Sequence, residues 1–462
     1  MAKQTNKEMV TPSFFARYCR FFVPPESRIL WIGDFQPGLW GQLRPSKGSG
    51  VVVIDNTNRQ RMQGSPEIIT YEVADLDTLA LDETFEYIII HSVLDTIADV
   101  RRFLVRLLNI ASPGTRIIIN HTLPRWRDRL RRIRYRGSGS SSGENVSNRF
   151  SRPDLENLLI ISGYEMIARE QYIWFAGPAG FFTSLVNRFL GQLPLLKRTG
   201  QGYLMVTRPD RPPANVEATS ISVVMTCRDE EGNIEGLVDR IPAMGGKTEI
   251  VFVEGHSEDR TVEKIKEMME KYPQKDIKLY HQRGVGQGDA FRLGFDKAEG
   301  DFVIWLEADL TTPPEEARHI WEAFAGGHGE FINGTRFVYP MVPEAMPRAN
   351  YIGNRFFSWI ISMITGHRYT DTLCGFKGIS KKHYQRICEH PNSFDQWDLF
   401  GDFQLILGAA RHQLKTVEVP VHYQPRQYGK PKAYGHSWLG LLKSAWPLLK
   451  ISWQAFWQLR FL

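Results

Sequence analysis

The 462-residue chain is 42% hydrophobic and 23% charged, the balance of a globular protein, which excludes a disordered one, and its length suits two domains. A net charge of +6 is modest, and the four cysteines (Cys19, Cys227, Cys374 and Cys388) show neither a Cys-x-x-Cys pair nor zinc spacing with histidine, so a reducing cytosolic setting fits. The first residues lack the apolar core that a secretory signal needs. In chain order, residues 28–33, 50–55, 87–91 and 115–120 are four expected strands with helices between them, a Rossmann-type sheet, and Ser151-Arg-Pro-Asp begins a later helix. Residues 125–136 place Arg125, Arg129, Arg132 and Arg136 on one helical face and Trp126, Leu130 and Ile133 on another, a surface suited to anionic headgroups in preference to nucleic acid. A glycine- and serine-rich run, 137–144, follows, and 172–187 is aromatic and uncharged but interrupted at 177–180, so it is expected as a hydrophobic loop.

The proline-rich run 208–219 is expected to be an extended linker between a domain over 1–207 and one over 220–435. In the second domain one pattern repeats, an apolar run leading into a polar cluster and then a helical segment: 221–225 before Cys227, Arg228, Asp229 and Glu230, and 249–253 before Glu254 and His256. Strands alternating with helices predict a parallel, doubly wound sheet, in which ligands bind beyond the carboxyl ends of the strands. The run 300–315 is the most informative, because a hydrophobic strand ends in Glu307 and Asp309 and stops at Pro313-Pro314. Alternation sends both carboxylates to one side and Ala308 to the other, a hard-oxygen pair able to share one Mg²⁺ or Mn²⁺. Residues 436–462 carry Trp438, Trp446, Trp453 and Trp457 with Lys443, Lys450 and Arg460 and no acid. Those charges recur too often for a spanning helix, so two expectations stand: an amphipathic helix lying in a membrane interface, or one packed with its aromatics in a core.

These motifs, in this order, resemble the family 2 inverting glycosyltransferases, especially the dolichyl- and polyprenyl-phosphate sugar transferases. The residues that carry the resemblance are 222–234, 253–261, Gly286-Gln-Gly-Asp-Ala290, 306–315, 371–377, 401–403 and Arg426-Gln-Tyr-Gly-Lys-Pro-Lys432. Thr226 stands where the family usually has proline, Gln287 where the glycine turn often has lysine, and Glu307 where the first metal aspartate is usual. The resemblance implies a GT-A (nucleotide-diphospho-sugar transferase) fold and a nucleotide-sugar donor held by Thr226, Arg228, Glu230, Glu254, Gly288, Asp289, Glu307 and Ala308, with Glu230 and Glu254 facing base and ribose. A metal on Glu307 and Asp309 would bridge the diphosphate, while Arg426 and Lys432 neutralise the leaving charge, and the acceptor attacks from the opposite face with inversion. Asp402 is a general base if the acceptor is a hydroxyl. It is structural or electrostatic if the acceptor is a phosphate, largely dianionic at neutral pH.

The first domain resembles the class I methyltransferases that bind S-adenosylmethionine, with Gly33 in the cofactor turn, Asp55 in the ribose place and Asp75 near the adenine position. Trp31, Phe35 and Pro37 depart from the usual turn, and Phe35 is expected to crowd the ligand's approach. A degenerate domain that no longer methylates would leave Asp55 and Asp75 as strand-end caps. The expectation is therefore a two-domain α/β enzyme that moves a sugar from a nucleotide sugar to a polyprenyl phosphate at the cytoplasmic membrane face, as a peripheral membrane protein. A glycan or glycolipid hydroxyl acceptor, a bifunctional methyl- and glycosyltransferase, and a first domain that recruits substrate or partner are the alternatives.

Overall fold

The computed structural model describes residues 14–53, 60, 68–73, 75–122, 148, 151–172, 202–342, 344–389, 401–429 and 438–460. The chain divides into two compact units, Met1–Asp210 with Arg460–Leu462, and Arg211–Leu459.

The first unit is built on a seven-stranded sheet: β1 Ile29–Gly33, β2 Gly50–Val53, β3 Ile69–Glu72, β4 Phe85–His91, β5 Ala111–Thr122, β6 Tyr164–Tyr172 and β7 Gly202–Pro209, in the order β3-β2-β1-β4-β5-β7-β6. Strands β1 to β5 pair in parallel, and β7 enters antiparallel between β5 and β6. The isoleucine and valine runs of β1, β2 and β4 are buried on both faces, as parallel strands covered by helices must be. Ser151 caps the helix Arg152–Ile161 in a capping box with Asp154, as its sequence signals. Strands β3, β6 and β7 are additions to the four expected from sequence. Arg208, assigned to the linker from its proline-rich surroundings, is instead a buried residue of β7 whose Nε donates to Glu165 at 2.9 Å. Residues 125–136 and 137–144, and all but Tyr172 of the run 172–187, lie outside the described residues.

The second unit contains β8 Ser220–Cys227, β9 Lys247–Glu254, β10 Asp276–His281, β11 Phe302–Glu307, β12 Phe331–Thr335, β13 Lys377–Ser380 and β14 Thr416–Pro420, in the order β10-β9-β8-β11-β13-β12-β14. The four strands carrying the acidic motifs are parallel, but the sheet is mixed, because β13 runs antiparallel to both β11 and β12. The all-parallel expectation fails there: periodicity marks a strand without giving its direction. Helices α1 Glu231–Arg240, α2 Thr261–Lys271 and α3 Gln287–Lys297 follow β8, β9 and β10 in turn. Further on come α4 Arg348–Thr365, α5 Asp402–Arg411 and α6 Trp438–Arg460. Core side chains such as Phe252, Ile304 and Leu306 are shut between sheet and helices.

Candidate active site

Register brings the polar clusters of the second unit into one row. Glu307 lies opposite Thr226, Cys227 opposite Glu254, and Glu254 opposite His281, so the carboxyl ends of β11, β8, β9 and β10 finish side by side. Side chains knit the loops that follow. The Asp229 amide donates to the Ser257 hydroxyl at 3.0 Å and the Glu230 amide to the Thr261 hydroxyl at 2.8 Å.

Three of the expected residues meet directly. Arg426, beyond β14, donates from Nη1 to Glu230 at 2.9 Å and from Nη2 to Asp309 at 2.8 Å. Its segment is fixed by the Gln424 amide, which donates to the Thr311 carbonyl at 2.7 Å. Asp309 sits in the turn just past β11, where its other oxygen accepts the amide and hydroxyl of Thr311 at 3.0 and 2.7 Å. Glu307 ends the strand. Burial, and then the Asp309 carboxylate beside it, push its carboxyl above the usual range against the pull of Gln287, Arg336 and Lys377. Ala308 is buried, but it and Asp309 lie in the turn beyond β11, so strand alternation does not set their directions as the sequence led one to expect. Arg426 is within electrostatic reach of Asp309, Glu230 and Glu307 together, so one guanidinium faces three carboxylates. Paired hard oxygen donors suit a divalent cation, and Glu307 and Asp309 are the residues that would hold it, although among the described residues no third acid, histidine or cysteine joins them as a ligand.

The remaining expected residues take other positions. Glu254 accepts the Ser257 amide and contacts His281 Nδ1 at 3.0 Å; burial opposes its ionisation, but these partners hold its carboxyl below the usual range. Asp289, in the first turn of α3, accepts the Gly284 amide at 3.0 Å and Gly288 is buried beside it, so the glycine-rich turn is closed by its own carboxylate. Arg228 is exposed, with Asp229 at 3.6 Å. Asp402 opens α5 and forms a buried ion pair with Lys377. Lys432 lies outside the described residues.

Some residues near the site were not singled out from sequence. Arg336 pairs in a fork with Asp371 at 2.7 and 2.9 Å and lies 5.0 Å from the ring centre of Tyr423, which itself feels Glu307 and Asp309. Arg336 directly follows β12, but that strand reads Phe-Ile-Asn-Gly-Thr, with no apolar run leading up to the cation, so the pattern that identified Glu254 and Glu307 did not mark it.

In the first unit, Gly33 adopts φ 101°, and a Cβ there would meet the His91 carbonyl oxygen at 2.3 Å, so the glycine is required by the close turn against β4. Phe35 is buried edge-on to Trp31 and Trp40, a core position rather than the crowding one expected. Gln36 is the side chain at the strand ends. Its Nε2 lies 2.8 Å from His91 Nε2, His91 Nδ1 lies 2.8 Å from Asn120 Nδ2, and Phe15 stacks on the imidazole at 4.6 Å. Among the described residues these contacts cross the ends of β1, β4 and β5, where the resemblance would seat S-adenosylmethionine, and the side chains there do not fit it. Asp75 is exposed before a short helical turn. Asp55 lies outside the described residues.

Residues 222–387 match the model of the family described as glycosyl transferase family 2. The chain is 28% identical over 221 residues to an undecaprenyl-phosphate 4-deoxy-4-formamido-L-arabinose transferase of Edwardsiella ictaluri, a match covering 46% of this chain and 63% of that one. It is 28% identical over 239 residues to a dolichol-phosphate mannosyltransferase of Pyrococcus furiosus, covering 50% and 64%. The chain thus spans less than two thirds of the length of either relative. A solved S-adenosylmethionine dependent methyltransferase from Mesorhizobium loti is similar at a TM-score of 0.32 and 16% identity, over 43% of this chain and 98% of that one.

Proposed function

We propose that this chain, which carries a family 2 glycosyltransferase domain over residues 222–387, transfers a sugar from a nucleoside-diphosphate sugar to a polyprenyl phosphate at a membrane face, with inversion. The observation that carries the reading is the cluster at the end of β11, in which Glu307 and Asp309 stand together and Arg426 ties Asp309 to Glu230. A divalent cation, Mg²⁺ or Mn²⁺, would supply charge stabilisation for the diphosphate leaving group when bound. The chain's own contribution is to hold the two carboxylates, to place Glu230 and Glu254 on the nucleoside side, and to bring the Arg426 guanidinium to the diphosphate. Thr226, Arg228, Gly288, Asp289 and Ala308 line or shape the same donor seat, and Lys432 adds a second cation.

Two observations favour a phosphate acceptor over a hydroxyl. Asp402, the side chain a hydroxyl would need as proton acceptor, is already engaged by the Lys377 ammonium in a buried pair. A phosphate dianion needs no such base. The Pyrococcus and Edwardsiella relatives are named for polyprenyl-phosphate acceptors of this kind. Peripheral membrane contact is supported by α6, which buries Leu448, Ile451 and Ala455 while Trp446 and Trp453 are 69% and 61% exposed. No helix among the described residues is long and apolar enough to cross a membrane. The first unit serves as a recruiting module for substrate or partner rather than as a methyltransferase, on the strength of its closed strand ends.

The test is nucleoside diphosphate release from GDP-mannose, UDP-glucose or UDP-N-acetylglucosamine with Mn²⁺, with and without a short polyprenyl phosphate. Release that requires one donor and the lipid, and that disappears in Asp309→Ala, is the expected result; release that ignores the lipid would refute the acceptor assignment.

A further inference from the structure

Asp309 and Glu307 are held in different ways. Both Asp309 oxygens are occupied, one by Thr311 of its own turn and the other by Arg426. Glu307 has one more methylene and one more torsion to fix, and among the described residues a single side chain donates to it: Gln287, from the first turn of α3, whose Nε2 lies 2.8 Å from Oε1. The stem of Glu307 lies against Gly375, where a Cβ would sit 2.5 Å from both its Cγ and its Cδ. The backbone at 375 therefore makes room for the longer acid, and the amide at 287 fixes its head.

The chemistry of that amide matters as much as its position. Of the cations acting on Glu307, Arg336 and Lys377 are each matched by a buried carboxylate, Asp371 and Asp402, and Arg426 by Asp309 and Glu230. A neutral donor at 287 orients Glu307 without cancelling its charge. An ammonium at the same place, where lysine is common in the resembled family beside a shorter aspartate, would here face the longer Glu307, form an ion pair with it and compete with any cation for the same oxygens.

We propose that Gln287 is a positioning residue for the cation site: it holds Oε1 of Glu307 so that this carboxylate and Asp309 act together on a divalent cation, and it does so without adding a charge of its own. The inference rests on the reading of Glu307 and Asp309 as cation ligands. Side chains that orient a ligand from behind in this way typically change metal affinity by about 10- to 100-fold when removed.

The experiment is an electron paramagnetic resonance titration of Mn²⁺ into the full-length protein, with thermal melting as the companion measurement. Wild type, Gln287→Met, Gln287→Lys and Asp309→Ala are compared at a temperature well below their melting points. The methionine fills a similar volume without a donor, and the lysine adds the charge. The expected result is Mn²⁺ binding weakened about tenfold in Gln287→Met and at least as much in Gln287→Lys, with melting temperatures near wild type. Wild-type affinity in both Gln287 variants, with binding lost in Asp309→Ala, would overturn the role of Gln287 and leave the cation site standing. Equal binding by wild type and Asp309→Ala, or none by either, would overturn the cation site itself and this inference with it.

Discussion

Lys377 and Asp402 face each other almost out of reach of water, their side chains 0% and 7% exposed. A buried ion pair loses more when one partner is removed than it gains from being there, because the survivor is left charged in a poor solvent. Asp402→Asn is therefore expected to lower unfolding free energy by about 3 to 5 kcal/mol in urea melts, whatever it does to the reaction. Replacing both partners, as in Lys377→Met with Asp402→Leu, should restore most of that loss; a double variant as unstable as the single one would contradict the pairing. The consequence for mechanism is direct. Activity of Asp402→Asn must be scaled to the folded fraction before its loss is taken as evidence for a general base.

The strand ends are where element-level order becomes chemistry, and Glu249 shows how the elements are joined. From the start of β9 it reaches Lys278 on β10 at 2.6 Å, the Ser222 hydroxyl on β8 and the Glu299 amide before β11 at 2.6 Å. Burial acts against its ionisation, yet these partners hold its carboxyl below the usual range. A carboxyl depressed in the folded state stabilises the protein fully above its unfolded value of about 4.3, and that stabilisation is lost as pH falls through the folded value. The stability difference between wild type and Glu249→Gln should hold constant above about pH 5 and shrink on acidification; a difference independent of pH would show that the pairing is not what Glu249 contributes. Much of this element order was legible in the chain, since apolar runs ending in acids mark strand ends by alternation alone. What was not legible is what topology brings together. Gln287 and Glu307 are 20 residues apart and Lys377 and Asp402 are 25 apart, on elements whose adjacency depends on strand order and on the antiparallel entry of β13. Phe35 was misplaced for a related reason: a bulky residue in a glycine turn can point either way, and only packing against Trp31 and Trp40 decides.

At the scale of the molecule, the second unit presents apolar side chains to solvent on two helices. On α4, Ile352, Phe356 and Trp359 are exposed while Phe357, Ile361 and Ile364 face the core, an apolar belt too continuous for residue pattern alone to separate inside from outside. On α6, Trp446, Trp453 and Trp457 are exposed while Leu448, Ile451 and Ala455 are buried, so among the described side chains the aliphatics, and not the tryptophans, pack on the core. Trp453→Ala should weaken binding to anionic lipid vesicles roughly tenfold while leaving the melting temperature unchanged, because the ring covers no core; undiminished flotation with vesicles would remove α6 from the membrane contact. Titration of the full chain with millimolar S-adenosylmethionine should give no binding heat, and saturable heat would reopen the methyltransferase reading. Arg426 has a thermodynamic corollary. Its guanidinium bridges Glu230 and Asp309, on the proposed reading the nucleoside and diphosphate sides, and its segment is anchored through Gln424 to the turn that holds Asp309. On that reading, a donor that draws Arg426 toward its diphosphate would also move the segment offered to an incoming anion, and the two substrates would share one free energy of coupling. Whatever factor the donor applies to acceptor affinity, the acceptor must return to the donor.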